Sequence, residues 1–192
     1  MDSFLERIYL GQAKQECEYC YAALNRFNNA LAREAEGDPF TSAMEFVHHA
    51  AAVSRMFWPP RPRNKEARQR AQRRGDYLRR TLSIPADHPI KGRTLRDHFQ
   101  HFDERLDEWA ERSKNRNIIG RLLGPRSAIG GDGIEDGDII HHYDPETKVY
   151  AFRGERFDIQ ELADGISDLY HRISERLTAL EPWKAQINPP RT

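Results

Sequence analysis

The chain has 192 residues, enough for one domain with a sizeable core, and its 31% charged and 38% hydrophobic residues match a soluble globular protein. No apolar run approaches the roughly 20 residues needed to cross a bilayer, and the amphipathic start Met1-Asp2-Ser3-Phe4-Leu5-Glu6-Arg7 is not a secretory signal, so a cytoplasmic location without a membrane partner is expected. Basic and acidic residues balance at 30 each, yet Arg61 to Arg80 holds nine cations against Glu66 and Asp76, while Asp132 to Asp144 is acidic, with no Lys or Arg at all. Blocks of this kind point to an anionic ligand, or to a basic face meeting another subunit's acidic face.

The first helix is predicted from about Phe4 to Glu34. Leu10, Ala13, Cys17, Cys20, Leu24, Phe27 and Leu31 step by threes and fours and form one apolar stripe. Gly37-Asp38-Pro39 ends it and opens a second helix, with Asp38 able to cap and Ser42 and Glu45 spaced as a capping box. That helix should run to about Trp58 and bury Phe40, Ala43, Val47, Ala50 and Phe57. Pro59-Pro60-Arg61-Pro62 must break it. A third helix, about Asn64 to Leu82, is mostly polar, with Ala67, Ala71, Leu78 and Leu82 as a narrow apolar edge. Its arginines are expected to face solvent or a ligand. A fourth, about Thr94 to Ser113, places Leu95, Phe99, Phe102, Leu106 and Trp109 on a core-facing stripe.

Gly120 to Gly137 reads as a flexible, glycine-rich acidic loop. Ile139 to Tyr143 and Val149 to Phe152, separated by Asp144-Pro145-Glu146-Thr147-Lys148, read as a β-hairpin. Asp158 with Glu161 caps a last helix, residues 158–181, burying Ile159, Leu162, Ile166, Leu169, Ile173, Leu177 and Leu180. The expected fold is mainly α: a single domain, residues 1–192, of about five helices with a small hairpin before the last one. Its core helices fall within 4–114, and the loop and hairpin within 118–157.

Cys17 and Cys20 have the spacing of a metal or redox pair, with His48 and His49 as the obvious further donors. Both cysteines fall on the apolar stripe, where a free thiol behaves as a small buried hydrophobe, so core packing is the expectation and no metal or cofactor is assigned. Neighbours diverge by about 100° on a helix and point to opposite faces of a strand, so neither His48-His49 nor His141-His142 makes a ligand pair. No serine elbow, phosphate-binding glycine loop or zinc-protease motif is present. The basic third helix offers Arg68, Arg70, Arg73, Arg74, Arg79 and Arg80 to a phosphate backbone, or else to solvent. Tyr77 is its one aromatic, too few for a stacking platform.

The fourth helix carries Arg96-Asp97-His98-Phe99-Gln100-His101. Asp97 precedes His101 by one helical turn and could orient its imidazole. An imidazole serves as acid or base near neutral pH, and an arginine fork holds a phosphorane-like transition state without a metal. Arg93 and His98 form a second, overlapping pair of the same spacing. As plain structure, Arg93, Asp97 and His101 would be a surface ion-pair ladder, and His98 a flank of the core stripe. The motif, following two long antiparallel helices, resembles the HEPN superfamily of helical-bundle proteins, in which an Arg, a polar residue and a His lie on one helix. The resemblance covers roughly Phe4 to Trp109. It implies either a metal-independent endoribonuclease of toxin–antitoxin or antiviral type, or a non-catalytic module binding nucleic acid or a protein such as an antitoxin. Arg96 and His101 lie about 140° apart around a straight helix. A shared site is therefore expected only where two motif helices meet in an isologous homodimer, the family's usual arrangement.

Overall fold

The computed structural model describes residues 1–32, 37–60, 64–92, 102–130 and 133–181. Among them are five α-helices: α1 (Ser3–Ala32), α2 (Pro39–Phe57), α3 (Lys65–Thr81), α4 (Phe102–Arg112) and α5 (Ile159–Leu180). Four strands, β1 (Ile119–Leu123), β2 (Ile139–Asp144), β3 (Val149–Phe152) and β4 (Glu155–Asp158), lie between α4 and α5. The fold is mainly α, with the sheet before the last helix as the expected hairpin was. No helix among the described residues is long and apolar enough to cross a membrane.

The three-four stripe of α1 is its buried face: Leu10, Ala13, Cys17, Cys20, Ala23 and Phe27 are buried, and Leu24 and Leu31 flank them. Glu6 lies one turn before Leu10 on the same face and is 1% exposed. The Arg176 guanidinium of α5 meets its carboxylate at 2.6 and 3.2 Å, and the Tyr77 hydroxyl of α3 donates to it at 2.8 Å. Charge assistance makes these strong bonds, and the Arg176 contact holds the Glu6 carboxyl below the ordinary range. One buried anion thus joins three helices.

α2 is the central helix, packed on α1, α3, α5 and β2. Asp38 caps it, accepting from the Phe40 and Thr41 amides, with Pro39 in the first turn. Ser42 and Glu45 do not form the expected capping box: Ser42 is buried, and Glu45 pairs with Arg26 at 2.6 Å. At the other end, Gly75 lets α3 cross close to α2. A Cβ there would stand 2.5 Å from the Phe57 carbonyl oxygen.

The sheet runs in the order β1-β2-β3-β4, with β1 parallel to β2 and the other pairs antiparallel. The expected hairpin is therefore its centre, not the whole. β3 turns into β4 through Arg153 and Gly154, both at positive φ (48° and 80°), the twist that a two-residue hairpin turn requires. Ile139, Tyr143, Tyr150, Phe152 and Phe157 are buried, and the Tyr143 ring meets Phe27 of α1 edge-on at 4.8 Å.

The expectation of a flexible loop over Gly120 to Gly137 is corrected. Its first residues are β1, and two 3-10 turns follow, Arg126–Ala128 and Asp136–Asp138. Arg126 organises this crossover, binding Asp136 at 3.0 Å and the carbonyls of Ile129 and Ile134. Asp138 is 4% exposed and accepts from the Trp109 indole at 2.8 Å, the Ser113 hydroxyl at 3.3 Å and the Glu135 amide at 2.8 Å. Burial alone would raise its pKa, but these donors outweigh burial and leave it below the ordinary carboxylate range. The acidic segment thus spends Asp136 and Asp138 on internal bonds. It also fastens α4 to the sheet, and on α4 Leu106 and Trp109 are half-buried where the stripe predicts core.

Candidate nucleic-acid interface

Arg93, Arg96, Asp97, His98 and His101 lie outside the described residues. Of the residues expected for the fourth helix, those described begin at Phe102, with α4. The six arginines of α3 are all described, and they divide by their angle around the helix. Gly75 and Leu78 are buried against the body, so positions 70, 73 and 80 fall on the opposite crest. Arg70, Arg73 and Arg80 are exposed there, and Arg68 is exposed on one flank. Arg70 faces Glu66 at 3.7 Å, both side chains more than half exposed, a pair of little energetic weight. Arg80 donates to the Asp76 carbonyl of its own helix at 3.2 Å.

Arg74 and Arg79 do not face outward as expected. The last carbonyls of any helix lack intrahelical partners, and cations are favoured beside them. At the end of α2, Arg74 donates to the Arg55 and Met56 carbonyls at 3.4 Å, and Arg79 donates to the Phe57 carbonyl. Arg74 also stacks over Tyr9, 5.2 Å from the ring centre, and Arg79 over Trp58 at 5.7 Å. Arg79 pairs with Asp76 at 2.5 Å. Two arginines therefore cap α2 and hold α3 in place, and the crest residues are presented on a fixed helix.

Three further clusters are structural. Cys17 and Cys20 are buried and free; burial pushes the Cys17 thiol up to about 12 and the Cys20 thiol higher still, so neither is a thiolate near neutral pH. Among the described residues no group of three or more His, Cys, Asp and Glu is placed to hold a metal. His49 pairs with Glu16 across α1 and α2 at 2.8 Å. His141 and His142 diverge, as strand geometry requires: His141 meets the Tyr150 hydroxyl at 2.9 Å beside Phe40 and Phe152, and His142 meets the Gly124 carbonyl at 2.9 Å.

Sequence reasoning missed His88. It is 4% exposed, stacked on Trp58, with Nε2 at 3.2 Å from Asp168 and Nδ1 accepting the Ile90 amide at 3.2 Å. Asp168 also binds Arg172 at 2.7 Å, and Arg172 reaches the carbonyls of Leu82 and Ser83. The four-residue spacing of Asp168 and Arg172 signals an ion pair, but nothing local links them to a histidine 80 residues earlier. Both ring nitrogens are taken, so this group fixes the segment after α3.

Comparison with family models, curated proteins and solved structures gives no match to this chain.

Proposed function

We propose that this protein binds RNA along the arginine crest of α3, and that the Arg96–His101 segment is the cleavage centre of a homodimer. The observation that carries the binding reading is the division of labour on α3. Arg74 and Arg79 anchor the helix on α2, leaving Arg70, Arg73 and Arg80 exposed on a rigid support. Arginines so placed neutralise phosphates and release counterions, giving affinity with little sequence preference. Cleavage rests on the sequence motif and its family resemblance, with a protein partner such as an antitoxin as the expected regulator.

The test is titration of a labelled single-stranded RNA over a range of salt concentrations. Replacing Arg70 and Arg73 by Gln should lower the slope of log affinity against log salt by about 1.4, because single strands contribute about 0.7 per neutralised phosphate. Thermal stability should not change, since both side chains are exposed. A parent protein that binds none of several unrelated RNAs rejects the reading. Incubation with chelator present separates its catalytic part. Cleavage that is lost in Arg96→Ala and His101→Ala supports the ribonuclease; tight binding with intact RNA identifies a non-catalytic module.

A further inference from the structure

Beside the end of α3 lies an open cleft of about 620 Å³. Asp76, Arg79 and Arg80 form one wall, residues 83–86 with Lys91 the other, and Trp58 belongs to the lining. The size suits one nucleotide-sized ligand. Its far wall is preformed. Ser83 closes α3 in the left-handed conformation (φ 51°), with its amide on the Arg80 carbonyl and the Ile84 amide on the Arg79 carbonyl, the double bond of a Schellman turn. Arg172 fastens the Leu82 and Ser83 carbonyls from outside, and the Lys91 ammonium fastens the Ala86 carbonyl at 2.8 Å.

The lining is amphiphilic. Asp76 is paired with Arg79, which leaves Arg80 and Lys91 as cations with no carboxylate partner among the described residues. Each is exposed, and each spends one donor on a carbonyl, so each keeps further N–H groups for a phosphate. Ile84 and Pro85 supply apolar surface to the lining, and Trp58, 9% exposed with Arg79 over its ring and His88 stacked on it, backs it. Anionic oxygens beside a flat apolar body is the chemistry of a nucleotide, and Arg80 also ends the crest proposed above to track the RNA backbone.

We infer that this cleft receives one unpaired nucleotide of the bound RNA, its phosphate between Arg80 and Lys91 and its base against the apolar floor, so that the protein selects single-stranded over double-stranded RNA. The inference rests on the RNA-binding reading. A duplex can lie on the crest, but its bases are stacked and paired and cannot enter.

The experiment compares an unstructured RNA with a duplex of equal length by fluorescence anisotropy. The variants are Lys91→Glu, which reverses the cleft's charge, and Ala86→Trp, which fills it from an exposed wall position. Thermal unfolding checks each fold. Both variants should bind the single strand about tenfold more weakly, the scale of one lost base contact, and bind the duplex within about twofold of the parent. Equal losses for both RNAs, or no loss with Lys91→Glu in a folded protein, overturn the cleft while the Arg70 and Arg73 result still stands. A parent that binds no RNA overturns both.

Discussion

Glu6 shows how one residue ties the helices together. A carboxylate 1% exposed on the apolar stripe of α1 is tolerable only because Arg176 and Tyr77 complete it. Removing the acid leaves a guanidinium and a hydroxyl facing a cavity. Glu6→Ala should therefore cost about 3 kcal/mol, near the lower end for breaking a buried pair, because Arg176 can still reach water. Tyr77→Phe removes one hydrogen bond and should cost about 1 kcal/mol. Urea unfolding measures both, and a Glu6→Ala loss below that of Tyr77→Phe would contradict the account. The signal for this site was in the sequence. Glu6 stands four residues before Leu10, in phase with Ala13, Cys17 and Cys20, and an acid in phase with a core stripe must find a cation. Which cation it finds was not legible, since Arg176 is 170 residues away.

Among the elements, periodicity revealed α1, α2 and α5 because each buries a continuous face, and Asp38 and Asp158 mark two helix starts as capping residues. β1 and β4 escaped for local reasons: β1 contains Gly120 within a glycine-rich stretch, and β4 is Glu-Arg-Phe-Asp, with a single apolar residue. The stripe of α4 overstated burial because Trp109 has a polar edge, which is spent on Asp138. The basic composition of α3 was legible, but the split between anchoring and exposed arginines was not, because the carbonyls that claim Arg74 and Arg79 belong to another helix. That crossing makes Gly75 respond in the opposite direction to Gly11 of α1. Alanine favours a helix over glycine by about 1 kcal/mol. At Gly11 a new Cβ meets nothing within 4 Å, so Gly11→Ala should stabilise by roughly that amount. At Gly75 it would meet the Phe57 carbonyl at 2.5 Å and Pro59 at 2.8 Å, backbone and ring that cannot swing aside. Overpacking of that kind costs about 1–3 kcal/mol and outweighs the propensity gain. Gly75→Ala should lower the melting temperature by a few degrees while Gly11→Ala raises it; two shifts of the same sign would mean that the α2–α3 contact is looser than described.

At the scale of the whole molecule, two neutral histidines sit at seams between parts of the fold. His88 joins the segment after α3 to α5, facing Asp168, Arg172 and Asp87; His141 joins the sheet to the start of α2, facing Arg121, Asp38 and Tyr150. Burial pushes both pKa values below the ordinary histidine value, overcoming the attraction of Asp168 at His88, and at His141 Arg121 adds to the effect. Unfolded, both rings take up protons near pH ~6.5. Between that point and the lower native values the unfolded chain binds more protons than the folded one, so stability declines as the pH falls. Above about pH 6.5 this contribution is complete and flat. The carboxyls of Glu6, Asp138 and Asp168, whose native pKa values are also depressed, add their own loss only below about pH 4. Acid unfolding should therefore come in two stages. The His88 bond from the Ile90 amide strengthens the first, because protonating Nδ1 removes the acceptor that receives it. Chemical unfolding at about pH 7.5 and about pH 5.5 should show the upper-stage loss, and a His88→Gln, His141→Gln double variant should flatten it while leaving the carboxylate stage in place. Stability that does not change between those two pH values, in a parent protein that still unfolds at lower pH, would show that neither seam depends on a neutral ring.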